Sequence, residues 1–309
     1  MLHRRMLQRL TLLLLGLSSG AAGLLRIATW NLLAPQYARP EKYPWCDPKH
    51  LDWDYRQSLI VPQLLQWDAD VVCLQEVQVE FWPKLISSLG DVYDGIIQNV
   101  TRNHNVASAM LLRKECSWTF DRVESRSRAL LCVLRHKETS SSQTERLYVA
   151  NVHLEAGIKM ANDLQRYHQV KSLFKRLAYH CDIDSIPLED AALVLAGDFN
   201  VLRSNIMHLC LSQGQLYHPQ QAKIKPPIRI AKLQDALGTG TRRLVQMTFA
   251  RGHVLDYIWT SSNIQAGQTL PLSPHVTQNI PKLWPSRDIP SDHLPIGVEL
   301  AVQIGQLRC

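Results

Sequence analysis

The sequence predicts an α/β fold in which two mixed β-sheets pack face to face between outer helices, a four-layer sandwich. Three observations predict it. Continuous apolar runs, the pattern of strands buried on both faces, recur along the chain and outnumber the amphipathic stretches between them. No linker divides Leu24–Gly305, so one domain over residues 24–305 is expected. Of the 309 residues, 46% are hydrophobic, which is ample for a core, and no repeat period or leucine-rich array is present.

Residues 1–23 read as a targeting segment. Arg4, Arg5 and Arg9 precede an apolar run from Leu10 to Leu17, and small residues follow from Ser18 to Gly23. That is the order of a secretory signal peptide, with cleavage before Leu24. The run is too short for a membrane span. No acidic residue precedes Glu41, which suits a mitochondrial or plastid presequence as well, so both routes stay open.

Leu24–Trp30 is then the first strand, ending at Asn31, and prolines at 35, 40, 44 and 48 mark an irregular connection. Leu51–Leu65 has helical spacing that Pro62 should kink or divide. Asp70–Val77 is a buried strand carrying Glu76 at its end, and Phe81–Leu89 is helical. Ala107–Arg113 and Ala129–Arg135 read as strands, Thr139–Thr144 as a polar turn, and Leu147–Leu154 as a strand carrying His153. Asn162–Leu177 is the clearest helix, because Leu164, Tyr167, Val170, Leu173, Phe174 and Leu177 recur at three and four.

The chain is organised around Ala191–Asn200, AALVLAGDFN. Its apolar run reaches Gly197, where backbone can pack closely, and Asp198 and Asn200, two apart, point the same way while the chain stays extended. Asn205–Leu216 is expected as a helix, and Pro219–Pro227 as a basic loop holding Lys223 and Lys225. Val254–Thr260 is a strand containing Asp256, and Ile264–Pro290 is rich in prolines and polar residues and reads as loop. Ser291, Asp292 and His293 lead into a last strand, Leu294–Val302.

The net charge is +7, and three of those positives sit in the leader, so the body is mildly basic and suits a polyanionic partner. The seven cysteines form no CxxC pair, and Cys73 and Cys132 lie inside strand-like runs. Buried free thiols are therefore expected, not a disulfide framework. Asn99-Val100-Thr101 is a glycosylation sequon, relevant only on a secretory route.

Six strand-like runs end at or carry a polar residue: Asn31, Glu76, His153, Asp198 with Asn200, Asp256, and Asp292 with His293. One such residue is ordinarily a cap or a turn. Six in succession point to a site, because an unpaired buried carboxylate costs several kcal/mol unless a cation or donor compensates. Asn, Asp and Glu oxygens suit Mg²⁺ or Mn²⁺, one ion or two, and the absence of Cys from the set disfavours zinc.

In this order, WN at 30–31, LQEV at 74–77, NVHL at 151–154, GDFN at 197–200, LDYIW at 255–259 and SDH at 291–293 resemble the motif series of the endonuclease/exonuclease/phosphatase superfamily. The stretch from Tyr37 to Arg56, with Tyr43, Cys46 and the pattern Leu51-x-Trp53-x-Tyr55-Arg56, resembles its deadenylase branch, which comprises carbon-catabolite-repressor-type nucleases, nocturnin and the angel proteins. Where that branch has Asp-Gly-Cys-Ala, this chain has His104-Asn105-Val106-Ala107.

The resemblance implies a metal-dependent phosphodiesterase, foremost a 3′-to-5′ exoribonuclease. The alternative is a phosphodiesterase or phosphatase on a lipid, an inositol phosphate or a small nucleotide. It implies metal contacts from Asn31, Glu76 and Asp292. Asp198 and Asn200 would orient water, His293 held by Asp256 would contact the phosphate, and His153 would donate to developing charge. Arg166, with Gln169 nearby, and Phe249 would bind RNA or a nucleotide. Without a leucine-rich region for docking to a deadenylase complex, the protein is expected to work alone or with other partners, and to be a monomer.

Overall fold

The computed structural model describes residues 22–100, 105–137, 146–238, 247–271 and 283–303. The leader up to residue 21, the polar turn at 139–144 and Cys309 lie outside the described residues. In chain order the first strands are β1 (Ala22–Asn31), β2 (Val71–Gln78), β3 (Tyr93–Ile97), β4 (Val106–Arg113), β5 (Trp118–Arg126), β6 (Ala129–His136) and β7 (Arg146–His153). There follow β8 (Leu193–Asp198), β9 (Gln215–Leu216), β10 (Ile228–Arg229), β11 (Leu233–Asp235), β12 (Asp256–Ser261), β13 (Ile264–Thr269) and β14 (Ile296–Gln303). The helices are α1 (Pro48–Leu51), α2 (Trp53–Trp67), α3 (Trp82–Leu89), α4 (Met160–Ile183) and α5 (Ile206–Gln213).

Two six-stranded sheets form, in the orders β13-β14-β1-β2-β4-β3 and β11-β12-β8-β7-β6-β5, and β9 pairs separately with β10. Each large sheet is antiparallel except for one central parallel pair, β1–β2 in the first and β7–β8 in the second. The expected pair of mixed sheets between helices is what the chain adopts.

Side-chain alternation builds the layers. Leu25 and Ile27 of β1 face the inter-sheet core, with Val71, Cys73 and Met110, and meet Leu130, Cys132, Val149, Val194 and Ile258 from the other sheet. Ala28 and Trp30, from the opposite face of β1, pack with Ile60, Leu64 and Trp67 of α2 and Leu85 and Leu89 of α3. On the far side, α4 lays Tyr167, Val170, Leu173, Phe174 and Leu177 against Leu131, Tyr148, Leu193 and Leu195. All six described cysteines are buried and free, as expected.

The expectations needed correction at several places. α2 runs through Pro62 undivided, capped at its start by Asp52, whose side chain accepts from the amides of Asp54 and Tyr55. Pro62 therefore costs the Ser58 carbonyl its helical partner but does not divide the helix. α4 is longer than expected at both ends, whereas α5 stops at Gln213 because Gly214 turns left-handed (φ 71°). β1 starts at Ala22, where Ala22 and Gly23 pair with Gln303 and Val302, ahead of the boundary drawn at Leu24. Ile264–Thr269, read as loop, is a strand, and β3, β5 and the short β9, β10 and β11 were not foreseen. Among the described residues, no helix is long and apolar enough to cross a membrane.

Candidate active site

The carboxyl ends of the two central parallel pairs meet at one edge of the sandwich, and the local backbone aims their side chains together. In β2, Leu74 pairs with Ala109 and Val77 with Ala107, so β2 carries one residue more than β4 between these points. This bulge puts Glu76 at a left-handed φ of 54° and re-aims its carboxylate. Beneath it, the Gln75 amide donates to Asn151 Oδ1 (2.7 Å) and Thr29 Oγ1 (2.9 Å), while Asn151 Nδ2 donates to the carbonyls of Leu74 (2.8 Å) and Ala109 (2.7 Å). These buried bonds fasten one sheet to the other directly under the site.

In the second sheet, His153, Asp198 and Asp256 lie side by side on β7, β8 and β12. Gly197 makes this register possible. At its φ of 148°, a Cβ would stand 1.9 Å from the Val152 carbonyl oxygen. Asn200, at φ 52°, donates from its backbone to Asp198 Oδ1 (2.9 Å) and from Nδ2 to the Leu154 carbonyl (3.0 Å).

Asn31 joins the two halves. Its Nδ2 lies 3.2 Å from Glu76 Oε1 and 3.1 Å from Asp198 Oδ2, and its Oδ1 accepts from the Leu33 amide (3.0 Å). Glu76 Oε2 accepts from the Ala34 amide at 3.0 Å. His293 Nδ1 is 2.8 Å from Asp256 Oδ2, and its Nε2 is 3.6 Å from Asp198 Oδ2. His153 Nε2 sits 3.9 Å from Glu76 and 3.8 Å from Asp198. Tyr43 donates to Asp292 Oδ2 at 2.8 Å, and the Phe249 ring stands 4.8 Å from the His293 ring.

Charge is shared unevenly across this cluster. Burial pushes the Asp198 carboxyl up to about 6, with Asp256 adding to the effect and His293 and His153 opposing it. Burial and the Asp292 charge likewise raise Glu76, against the Ala34 and Asn31 hydrogen bonds. For His293, burial works against the cation, but Asp256 and Asp198 outweigh it and raise the imidazole well above its ordinary range. Burial lowers His153, and Asp198 offsets this only in part.

Asp256 Oδ1 is buried with no hydrogen-bond partner, and ligand atoms of Asp198, Asp256 and His293 all lie within 4.8 Å of one another. An orphaned oxygen on Asp256 beside the Asp198 and Glu76 carboxylates, with no thiolate among them, fits a divalent cation.

The structure thus brings together His153, Asp198, Asn200, Asp256 and His293, with Phe249 against them. Asn31, Glu76 and Asp292 adjoin this group, and one assignment, Arg166, is placed differently. Asn31 presents Nδ2 to Glu76 and Asp198 while its Oδ1 accepts from Leu33, so it holds the two carboxylates together. Glu76, foreseen as a metal contact, lies beside the tight trio and shares the Asn31 amide with Asp198, and Asp292 is held by Tyr43. Arg166 is only 2% exposed; its guanidinium donates to the carbonyls of Glu155 (2.6 Å) and Gly157 (2.9 Å) and to Asp163 (2.7 Å). With those partners it braces the loop after His153 and is not open to substrate. Gln169 braces the same loop by accepting from the Glu155 amide.

Two residues were passed over as individuals although their stretch was singled out. Arg56 is fully buried, and its Nη1 donates to the carbonyls of Leu32 (2.8 Å), Leu33 (2.8 Å) and Pro290 (3.1 Å). It thereby ties the chain after Asn31 to the chain before Asp292 and His293. Tyr43 reaches the site through Asp292. The tyrosine and arginine of the Tyr37–Arg56 pattern were the available signal.

The sequence profile of the endonuclease/exonuclease/phosphatase family matches residues 28–293. The CCR4-Not complex 3′-5′-exoribonuclease subunit Ccr4 of Candida albicans is 23% identical over 91% of this chain, which spans 41% of that protein's length. Carbon catabolite repressor protein 4 homolog 4 of Arabidopsis thaliana is 25% identical over 90% of this chain and 78% of its own. Human 2′,5′-phosphodiesterase 12 is 25% identical over 90% of this chain and 51% of its own. Among solved structures, ANGEL2, a 2′,3′-cyclic phosphatase, superposes with a TM-score of 0.70 at 17% identity, covering 91% of this chain and 96% of its own. The human nocturnin catalytic domain superposes at 0.64 and 20% identity, covering 93% and 94%. Strand-end motifs, sheet order and the matching profile concur: the chain belongs to the endonuclease/exonuclease/phosphatase family.

Proposed function

We propose that this protein is a Mg²⁺-dependent 3′-to-5′ exoribonuclease of deadenylase type, with Mn²⁺ able to substitute. The observation that carries the reading is the Tyr43–Asp292 hydrogen bond of 2.8 Å. Through it, the stretch whose pattern resembles the deadenylase branch is seated on the catalytic cluster and can shape what enters.

Glu76, Asp198 and Asp256 are the carboxylates that would hold a cation, which when bound supplies neutralisation of phosphoryl charge and of the departing 3′-oxygen. Asp198, raised only to about 6, is ionised at neutral pH and accepts the proton of the attacking water. Asn200, anchored through Nδ2 on the Leu154 carbonyl, offers Oδ1 to orient that water. His293, kept cationic between Asp256 and Asp198, donates from Nε2 to a phosphoryl oxygen. His153 donates as a neutral imidazole to the charge that develops.

The leader-like residues 1–23 would deliver the enzyme to the secretory route or an organelle, where it works as a monomer. The test is a time course on 3′- and 5′-labelled oligoadenylate with Mg²⁺. Shortening by single nucleotides from the 3′ end is expected. Internal cuts appearing first would make it an endonuclease. Sphingomyelin cleavage, or cleavage of 2′,5′-linked dinucleotides, with untouched oligoadenylate would favour the lipid or small-nucleotide alternative.

A further inference from the structure

We propose that the cleft leading away from His153 binds the phosphodiester backbone of single-stranded RNA beyond the scissile bond, with Arg126 and Arg128 as its phosphate contacts. This rests on the exoribonuclease reading above and names where the rest of that substrate lies.

The cleft has a volume of about 760 Å³ and opens beside His153, where the ends of β3 and β4 meet the turn between β5 and β6. That is ample room for a ligand of nucleotide size. Its floor is fixed before any ligand arrives. Gln98 accepts from the Ser108 amide (3.1 Å) and donates to the Arg126 carbonyl, and the Asn99 amide donates to Ser125 Oγ (3.0 Å). These bonds join one sheet to the other across the floor, so binding need not order it.

The lining is chemically one-sided. Among the described residues, two arginines, side-chain amides and serine hydroxyls line the cleft, and none of them is Asp or Glu. The contrast with the adjoining cluster of Glu76, Asp198, Asp256 and Asp292 is sharp. A lone phosphate ester would need only the cluster, whereas a polyanion that continues past it needs positive charge further on. Arg126 has 45% of its side chain exposed; its Nη2 donates to Ser172 Oγ at 3.1 Å and its Glu124 contact is a loose 3.8 Å, so other guanidinium donors face outward for a ligand. Arg128 is held at 2.6 Å by Glu155, which lies two residues after His153, so its guanidinium is fixed relative to the site. At the mouth, Tyr37 is 37% exposed and offers a ring face on which a base can stack.

The experiment compares kcat/KM on the dinucleotide ApA and the tetramer ApApApA, with bis(p-nitrophenyl) phosphate as a substrate for the centre alone. In the wild type the tetramer is preferred. In Arg126→Gln and in Arg128→Gln, with melting temperature confirming the fold, the tetramer-to-dinucleotide ratio falls roughly tenfold, because a charge-assisted phosphate contact is lost. The salt slope of tetramer binding shallows by about one unit. An unchanged ratio in both variants overturns the cleft assignment. So does an equal fall on both RNAs, which would put the arginines at the scissile phosphate. Cleavage of bis(p-nitrophenyl) phosphate with neither RNA touched overturns the exoribonuclease reading itself, and this outcome is distinct from RNA cleavage with an unchanged ratio.

Discussion

Asp198 and Asp256 stand directly opposite each other on the antiparallel pair β8–β12, and the imidazole of His293 reaches both, at 3.6 Å and 2.8 Å. Two buried carboxylates so close are mutually repulsive unless a cation lies between them. The His293 ring supplies one.

Replacing Asp256 with Asn therefore removes the partner that fixes the tautomer and charge of His293. The expected loss in kcat is about 10²- to 10⁴-fold with KM little changed. Steady-state kinetics on oligoadenylate checks it, and a variant within twofold of wild type would remove Asp256 from the mechanism.

Glu76→Gln keeps the size of the side chain and removes its charge. Turnover should be abolished while melting temperature stays within a few degrees, because the Asn31 and Ala34 contacts need only acceptors that the amide oxygen can supply in part.

Exhaustive treatment with EDTA should abolish activity, and Mg²⁺ or Mn²⁺ should restore it, as oxygen ligands select such ions. An independent readout is melting temperature, which should rise with added Mg²⁺ because a ligand bound only to the folded state stabilises it. Activity that survives chelation would exclude a metal-assisted route.

Gly197→Ala forces a Cβ into the Val152 carbonyl, 1.9 Å away, at a φ that side chains rarely adopt. Separation of β7 from β8 is the only relief. A loss of about 3 kcal/mol or more in urea unfolding is expected.

Far from the site, Glu124 accepts from Arg176 Nη2 at 2.8 Å and lies 2.9 Å from the His180 ring. Burial alone would raise its carboxyl, but these hydrogen bonds outweigh it and hold it below the ordinary value of 4.5. A carboxyl lowered on folding stabilises the protein above its unfolded pKa, and that stabilisation is lost as pH falls through the folded value. Glu124→Gln should therefore lower the melting temperature at pH 7, and the difference should shrink as pH falls below 4.5 and vanish once it passes below the lowered folded value.

The central strands were legible in the sequence and the edge strands were not. β1, β2, β4, β6, β7, β8, β12 and β14 are continuous or nearly continuous apolar runs, because both of their faces are covered. The unforeseen β3, β5 and β13 all lie at or beside the rims of the sheets, where one face is wet. In β13 only Ile264 is buried, so the segment IQAGQT carries no strand signal of its own. The site residues were legible because each stands at an end of a buried run or just before one. What one dimension could not reveal was direction: that Asn31 turns its nitrogen inward, or that Arg166 spends its donors on carbonyls.

The pairing of β1 with β14, Ala22 with Gln303, sets when this catalyst can exist. Asn31 and Glu76 emerge early from a ribosome, but His293 and the strand that completes the first sheet emerge last. Pairing across such a sequence separation is slow and cannot begin until both partners are made. A half-synthesised chain thus holds only part of the cluster, and Asp198, Asp256 and His293 can close on one another only once the whole domain has been made.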